Sequence, residues 1–286
     1  MMRLRVNNKK APIRSIASPS YLSAMTSQDS KSLKGKLALI TGCTGGIGYA
    51  TAIALGRLGC SIAVHYNSAE AKANELVKEL EANHPDVKAV AFQADLSGYE
   101  GVKKLHGDVV RVLGHPDVLF NNAGVLGGAI GPNGNIQDVS VETFETTWRT
   151  NTGTAFLMTQ LCLPSMEERK WGRIVFNSRL SLNPKVSFEA FALKQVLPRY
   201  VGTGGVVGPH YASSKSAMHG LLHWIASRYA KDGITCNAVA PALIVETTMM
   251  ANPSEELGPP ECWDWAVTEI DVLEETNSYR SIWTPS

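Results

Sequence analysis

Two side chains of this sequence have the types and the spacing that proton transfer requires. Tyr211 and Lys215 lie four positions apart in the run Tyr-Ala-Ser-Ser-Lys. On a helix, positions with this spacing project from the same face, so the lysine ammonium comes within reach of the phenol. A cation there favours the phenolate and lowers a pKa that is about 10 in an unperturbed tyrosine. The pair therefore predicts a general acid or base that exchanges a proton with an alcohol or a carbonyl oxygen.

A glycine-rich turn upstream, residues 41–48, has the composition of a phosphate-binding loop. It follows an apolar run and precedes a helical pattern, which is the order that dinucleotide binding requires, because the pyrophosphate binds at the helix N-terminus. Gly42 permits the tight turn, and the later glycines allow the ligand to approach closely. Two spacings fit, with either Gly45 or Gly46 between Gly42 and Gly48, and both predict dinucleotide binding.

The composition suits a single enzyme-sized domain and excludes several classes of partner. The chain has 286 residues, 44% of them apolar, and a net charge of +1. This charge gives no reason to expect nucleic acid or an anionic surface as a partner, and no apolar run reaches the length of a membrane span. The five cysteines contain no Cys-x-x-Cys pair, which favours a reducing compartment and argues against a zinc site or a disulfide framework. We therefore expect no metal, no nucleic acid and no membrane partner.

Residues 1–34 differ from the rest of the chain, since they are basic, rich in serine and contain no acid before Asp29. This composition resembles a mitochondrial transit peptide. Two alternatives remain open, a disordered basic tail and an upstream extension with Met25 as the true start. We expect the segment to lie outside the fold, and the protein to reside in the cytoplasm or the mitochondrial matrix.

From residue 36 onward, strand-like and helix-like segments alternate. Strands are predicted at 37–40, 61–65, 87–92, 117–121, 172–177 and 234–239. Helices are predicted after the glycine turn, with Ile47, Ala50, Thr51, Ala54 and Leu58 on one face, at about 69–83 and 140–168, and around Tyr211 to about residue 231. Such alternation predicts an α/β fold with a doubly wound parallel sheet, a three-layer αβα Rossmann fold in a single domain over residues 35–257. The motifs follow the strands, where ligands of such sheets bind.

Taken together, these motifs resemble those of the short-chain dehydrogenase/reductase family over residues 35–178 and 203–250. Residues 41–48 match the family's Thr-Gly-x-x-x-Gly-x-Gly loop, and Asn121-Asn-Ala-Gly124 is similar to an element of the compact reductase branch rather than the epimerase branch. The segment after the sixth strand is also similar, although the family's usual glycine after Pro241 is Ala242 here. The cofactor-binding residues that the resemblance implies are Thr41, Gly42, Thr44, Gly46, Ile47, Gly48, Asp95, Leu96, Asn122, Ala123, Gly124, Tyr211, Lys215, Pro241, Ile244 and Thr247.

The resemblance also implies a reaction. A nicotinamide delivers hydride to a carbonyl carbon, Tyr211 supplies a proton to its oxygen, and Lys215 lowers the tyrosine pKa and binds the nicotinamide ribose. Asn151 matches the asparagine that kinks a helix and anchors a water of the proton relay. The motifs resemble those of 3-oxoacyl-[acyl-carrier-protein] reductases, so the expected substrate is a small carbonyl or alcohol compound or an acyl thioester.

The resemblance extends to assembly, because relatives pair through their two long helices. The helix that carries the tyrosine has apolar residues around much of its circumference, namely Leu221, Leu222, Trp224 and Ile225. One monomer cannot bury all of them, so we expect a homodimer or homotetramer.

The sequence departs from the family at its catalytic serine. The family has two serines after the fifth strand, of which the second is catalytic, whereas this chain has Ser178 and then Arg179. Either Ser178 or Ser181 takes over the role, or the role is lost, and we favour Ser178. The separation of Ser178 and Tyr211 is 33 positions, longer than in the family, and the surplus falls within 180–201.

The C-terminal residues 258–286 depart from the family as well, since no seventh strand with a glycine turn is evident. A mis-predicted gene explains both departures, and the alternative is a remodelled substrate lid. The functional alternative is a catalytically impaired homologue that binds cofactor as a scaffold or sensor.

Cofactor preference is predicted from the end of the second strand. Enzymes that prefer NAD place an acid there to bind the ribose 2′-hydroxyl. Here Asn67 and Ser68 are neutral, the first acid is Glu70, and Lys72 is nearby. This combination tolerates a 2′-phosphate, so NADP (NADPH) is favoured over NAD.

Three histidines surround the tyrosine and lysine. His210 is predicted to line the mouth of the pocket rather than to act as a base. His219 and His223 are predicted to form one polar helix edge rather than a metal site.

Overall fold

The computed structural model describes residues 33–131, 134–178 and 207–241. In this part of the chain six strands form one sheet in the order β3-β2-β1-β4-β5-β6. The strands are β1 (Leu37–Ile40), β2 (Ser61–Tyr66), β3 (Ala89–Gln93), β4 (Val118–Asn121), β5 (Gly172–Asn177) and β6 (Ile234–Val239). Every neighbouring pair is parallel, and the order reverses beside β1. The predicted doubly wound parallel sheet is therefore confirmed.

Six α-helices accompany the strands within the described residues. They are α1 (Gly46–Arg57), α2 (Glu70–Asn83), α3 (Tyr99–Leu113), α4 (Val141–Trp148), α5 (Thr154–Arg169) and α6 (Pro209–Tyr229). A π-turn over Arg149–Gly153 joins α4 to α5, and short 3₁₀ turns cover Ile136–Asp138 and Ala230–Asp232. None of these helices is both long and apolar enough to cross a membrane.

Two features of the helices differ from prediction, apart from shifts of one or two residues at the ends of several elements. The single helix predicted over 140–168 is divided by the π-turn that contains Asn151. Helix α3 is absent from the predicted segments, although its buried residues Val102, Leu105 and Val109 follow helical spacing.

The predicted apolar face of α1 is correct at Ile47, which packs against the core, but wrong at Ala50 and Ala54. The buried residues of this helix are Gly48, Ala52 and Gly56, whereas Ala50 and Ala54 are exposed. The reason is close packing: a Cβ atom at Gly56 would lie 2.7 Å from Leu80 Cδ2 of α2. Small residues therefore form the closest contact of α1 with α2, while the partly buried Ile47, Ile53 and Leu55 also pack against the core on this side of the sheet.

The sheet separates two cores, as a three-layer fold requires. In β1, Leu37 and Leu39 belong to one core, while Ala38 and Ile40 belong to the other, because successive side chains point to opposite faces. The first core includes buried residues of α3, α5 and α6, among them Leu105, Met158 and Met218. The second includes buried residues of α1 and α2, among them Ala52, Leu76 and Leu80.

Candidate active site

The glycine turn has the geometry of an anion-binding loop. Gly42 has a φ of +69°, a conformation that side chains rarely adopt. A Cβ atom at Gly48 would overlap the carbonyl oxygen of Gly42, so the helix can start this close to the turn only with glycine there. No side chain caps α1 at Gly45, and its first turn contains no acid. The N–H groups of this helix end are therefore available to a phosphate.

His65 supports this turn, and its role was not predicted from the sequence. The backbone N–H of Gly42 donates to His65 Nδ1 over 2.9 Å, so the second ring nitrogen, Nε2, donates to the carbonyl of Ala94 over 3.0 Å. The side chain is buried, and this burial lowers the pKa of His65 to about 4. The neutral imidazole thus links the turn after β1 to the residue after β3. In the sequence, His65 stands out only as a polar residue within the apolar run that forms β2.

Thr41 and Asn122 connect the turn to the end of β4. Thr41 Oγ1 accepts hydrogen bonds from the N–H groups of Asn122 and Ala123, each over 2.9 Å. In return, the Asn122 amide donates to the carbonyls of Thr41 over 2.9 Å and Gly42 over 3.1 Å. The structure therefore brings these predicted cofactor-binding residues together at one edge of the sheet.

The residues predicted to bind the adenosine half follow β2 and β3. Asn67 and Ser68 are exposed directly after β2, and Leu96 is buried beyond β3. The Asp95 carboxylate accepts hydrogen bonds from the N–H and the hydroxyl of Ser97, over 2.8 and 2.9 Å. No acid stands at 67 or 68.

Asn151 lies in the π-turn and is 1% exposed. Its Oδ1 accepts from the N–H of Val125 over 2.8 Å, and its Nδ2 donates to the carbonyl of Val125 and to Ser214 Oγ, both over 3.0 Å. Ser214 Oγ in turn donates to the carbonyl of Tyr211 over 2.7 Å. Asn151 therefore ties the loop after β4 to the first turns of α6, and both of its amide hydrogens are used within the protein.

Tyr211 and Lys215 project from one face of α6 and are almost fully buried. Lys215 Nζ lies 5.9 Å from the centroid of the Tyr211 ring and donates to the carbonyl of Asn177 over 2.7 Å. A Cβ atom at Gly124 would lie 2.9 Å from Asn151 Oδ1 and 3.3 Å from Lys215 Nζ. Glycine at 124 therefore allows the loop after β4, the π-turn and α6 to meet.

Ser178 directly follows β5, and its hydroxyl lies against α6. Its Oγ is 3.1 Å from the carbonyl of Lys215 and 2.6 Å from His219 Nε2, and the residue is 2% exposed. Burial and the neighbouring His223 lower the pKa of His219. The catalytic role of Ser178 stays a prediction. Several predicted features lie outside the described residues, namely the segment 1–32, Arg179, Ser181, the insert 180–201, Ile244, Thr247 and the tail 258–286.

His210 is fully buried rather than exposed at a pocket mouth. Its Nε2 lies 3.0 Å from the carbonyl oxygen of Gly128, and the N–H of Ile130 donates to the carbonyl of Val207 over 3.0 Å. The loop after β4 is therefore held against the start of α6 at two points. At the end of β6, Pro241 is also buried.

Comparisons with known proteins agree with this geometry. A family model described as short chain dehydrogenase matches residues 36–192 and 201–258. Versicolorin reductase stcU of Emericella nidulans is 31% identical over 235 residues, which cover 82% of this chain and 78% of the relative. L-rhamnose 1-dehydrogenase (NADP(+)) of Thermoplasma acidophilum is 31% identical over 262 residues, with 86% and 92% coverage.

A solved structure is similar as well. It is a protein from Beutenbergia cavernae, assigned as an NAD(P) dependent gluconate 5-dehydrogenase, with NADP bound at low occupancy. The two chains share 26% identity and a TM-score of 0.61, over 80% of this chain and 78% of that one.

Proposed function

The chain belongs to the short-chain dehydrogenase/reductase family, and we propose that it interconverts a ketone and a secondary alcohol with NADP(H), using Tyr211 as the general acid or base. At the coarser level, the chain is an oxidoreductase that acts on CH–OH groups with NAD(P). The proposal rests on one observation: the glycine turn and the tyrosine–lysine pair lie at the carboxyl end of the same sheet. The uncapped N-terminus of α1 follows β1, and the buried Lys215, one helical turn after Tyr211, bonds to the last residue of β5. Only β4 lies between these two strands in the sheet.

The residues present fit a dinucleotide. Glycine at 42 and 48 lets the turn close tightly, since a Cβ atom at Gly42 would lie 3.2 Å from Ala123 Cα and one at Gly48 would overlap the Gly42 carbonyl oxygen. Helix α1 begins without a side-chain cap or an acid, so its first N–H groups can donate to a pyrophosphate. We assign the pyrophosphate to this helix end and the adenosine half to Asn67, Ser68, Asp95 and Leu96. When bound, the cofactor supplies or accepts the hydride.

The protein's own residues handle the proton. In the reduction we propose that the Tyr211 phenol donates a proton to the substrate oxygen, and in the oxidation its phenolate accepts one. The ammonium of Lys215, held by the carbonyl of Asn177, favours the phenolate. Asn151 positions both groups through Ser214 and the loop after β4. A water bound near Asn151 must use groups other than its side-chain amide hydrogens, since these are occupied.

The preference for NADP over NAD is part of the proposal. Asn67 and Ser68 are exposed and neutral, so they place no negative charge against a 2′-phosphate. Two similar proteins support this preference, the L-rhamnose 1-dehydrogenase (NADP(+)) and the Beutenbergia cavernae protein with NADP bound.

The substrate class is also a proposal. A 3-oxoacyl group, a cyclic ketone and a sugar alcohol all present the same reacting carbon and oxygen. The similar proteins include a versicolorin reductase and an L-rhamnose 1-dehydrogenase, so both reduction and oxidation are represented among them. We therefore propose a ketone or alcohol substrate and include a 3-oxoacyl thioester as one member of the panel to be tested.

A second candidate function is a cofactor-binding scaffold or sensor with impaired catalysis. The observation in its favour is the position of Ser178, whose hydroxyl lies against the Lys215 carbonyl and His219 on α6. A hydroxyl engaged there has less freedom to stabilise charge on a substrate oxygen. In this case NADPH binds, but ketone reduction is weak or absent.

We propose that the protein assembles as a homodimer or homotetramer through α5 and α6. Trp224 on α6 is 62% exposed and Phe156 on α5 is 48% exposed. Both helices contribute to the same core on one face of the sheet, and an exposed apolar patch shared by them would mark an interaction site. We further propose that the protein works in the cytoplasm or the mitochondrial matrix, where the cofactor is available.

The decisive experiment measures NADPH oxidation by the purified full chain with a panel of ketones, sugars and 3-oxoacyl thioesters. The Tyr211→Phe variant removes the proposed acid, and Tyr229→Phe, at the other end of α6, is the matched control. The proposal expects activity that Tyr211→Phe abolishes and Tyr229→Phe retains. NADPH binding without turnover favours the scaffold. Absence of NADPH binding contradicts both functions.

A further inference from the structure

Asn177 is the last residue of β5, and it contacts both halves of the site. Its side-chain Nδ2 donates to Asn122 Oδ1 over 2.9 Å. Its backbone carbonyl accepts from Lys215 Nζ over 2.7 Å. The residue is 8% exposed, and the sequence analysis gave it no role. One buried residue therefore touches a proposed cofactor-binding residue and the proposed catalytic lysine.

The orientation of both amides follows from the hydrogen bonds. Asn122 donates through Nδ2 to the carbonyls of Thr41 and Gly42, so it must present Oδ1 to Asn177. Asn177 must then present its NH₂ group, because two amide oxygens cannot bond to each other. A continuous path of hydrogen bonds thus runs from the glycine turn through Asn122 and Asn177 to Lys215.

The asparagine side chain at position 177 is energetically unfavourable in one respect. With its NH₂ directed at Asn122, its Oδ1 is buried and has no hydrogen-bond partner among the described groups. An apolar side chain avoids an unpaired buried oxygen, which costs free energy. An apolar residue could not donate a hydrogen bond to Asn122. This donor is therefore what asparagine contributes at position 177.

The backbone at the end of β5 is held from the other side as well. The N–H of Ser178 donates to the carbonyl of Val239 over 2.9 Å, which fixes β5 against β6. Asn177 is thus held by its side-chain bond to Asn122 on one side and by the bond of the next residue to β6 on the other. Because the carbonyl of Asn177 holds the Lys215 ammonium, its position determines where the charge lies relative to Tyr211.

We propose that Asn177 is a positioning residue that couples the cofactor turn to Lys215, through its side chain on Asn122 and its carbonyl on the ammonium. This inference rests on the proposed function, because it concerns how that site holds its lysine. Every residue type has the backbone carbonyl. The side-chain tie to Asn122 is particular to asparagine here.

The test compares Asn177→Leu with Thr159→Val. The leucine variant keeps the size and the carbonyl but removes the tie to Asn122. The matched control removes a hydrogen bond of the same kind at the end of β4, where the Asn121 amide donates to Thr159 Oγ1 over 3.0 Å. Three quantities are measured on the full chain: the melting temperature, the NADPH dissociation constant from fluorescence, and the Tyr211 phenol titration from tyrosinate absorbance, identified by difference from Tyr211→Phe in each background.

We expect both variants to melt earlier, and only Asn177→Leu to change the other two quantities. Its NADPH dissociation constant should rise about tenfold, as expected for one unpaired buried acceptor at Asn122. Its Tyr211 pKa should rise by about half a unit or more, because the ammonium is held less closely. If Asn177→Leu changes only the melting temperature, as Thr159→Val does, the proposal is overturned.

Two further outcomes of the experiment also test the proposal. If the leucine variant does not fold, Asn177→Asp replaces it, since it has the same size but cannot donate to Asn122 when ionised. An unchanged NADPH dissociation constant in that variant also overturns the proposal. If wild type binds no NADPH, the proposed function fails, while the tyrosine titration of the free protein still tests the role of Asn177.

Discussion

The backbone N–H of Gly42 donates to Nδ1 of His65 over 2.9 Å, which joins the glycine turn to the neighbouring strand. The same imidazole bonds to the carbonyl of Ala94, so one neutral ring supports both sides of the proposed cofactor site. Protonation of Nδ1 removes the acceptor and places a buried charge beside the turn.

The first prediction is a pH dependence of stability. Burial lowers the pKa of His65 from 6.5 to about 4. The unfolded chain therefore binds a proton below pH 6.5 that the folded protein does not bind until about pH 4. The free energy of unfolding should therefore decrease as the pH is lowered through this window, by roughly 3 kcal/mol at most from this group. Urea unfolding at pH 7 and pH 4.5 measures it for wild type and for His65→Gln, in which the amide does not titrate. Equal pH dependence in the two proteins would contradict this role of His65.

The second prediction separates ligand contact from folding in the glycine turn. Gly46 is exposed at the start of α1, so Gly46→Leu should obstruct the pyrophosphate and leave the fold intact. We expect its NADPH dissociation constant to rise more than about tenfold with an unchanged melting temperature. Gly48→Ala should instead lose about 1–3 kcal/mol of stability, because the new methyl overlaps the Gly42 carbonyl. Unchanged NADPH affinity in Gly46→Leu would show that residues 41–48 are not the cofactor-binding loop.

The third prediction concerns cofactor selectivity. Asn67→Asp should repel the 2′-phosphate and bind the 2′-hydroxyl of NADH. The change is expected to shift the ratio of the two affinities by about 1–3 kcal/mol, or about ten- to hundredfold. Titration of both cofactors measures the ratio, and Asn83→Asp at the far end of α2 controls for the added charge. If the ratio is the same in both variants, residue 67 does not contact the ribose.

The fourth prediction concerns assembly. Wild type should scatter light as a dimer or tetramer, and Trp224→Glu should shift it towards monomer, because a charge is costly in an apolar interface. Ala54→Glu, on the exposed face of α1 across the sheet, should leave the mass unchanged. A monomeric wild type would contradict the proposed interface of α5 and α6.

The fifth prediction concerns the serine position. We expect the chain as given to reduce ketones weakly, because Arg179 stands where the family has a serine. Arg179→Ser combined with deletion of 180–201 should raise kcat about 10²–10³-fold, the effect of one restored oxyanion donor. Deletion alone is the control. Full activity of the unmodified chain would show that Ser178 or Ser181 already fills the role.

Much of the fold was determined by local sequence. Alternating apolar runs and helical patterns predicted all six strands and most helices, because side-chain periods of two and 3.6 residues are properties of the segment itself. The spacing of Tyr211 and Lys215 and the glycines of the turn were readable for the same reason.

Tertiary structure decided which faces are buried and which polar groups meet. The fully buried residues of α1 are Gly48, Ala52 and Gly56, and at Gly56 helix α2 packs so closely that a Cβ atom would lie 2.7 Å from Leu80 Cδ2. Such small residues carry little hydrophobic signal in the sequence. His65 and Asn177 gain their roles from hydrogen bonds to Gly42 and Asn122, which are far from them in the chain. No local pattern marks such partners, because parallel strands bring their carboxyl ends together only once the sheet has formed.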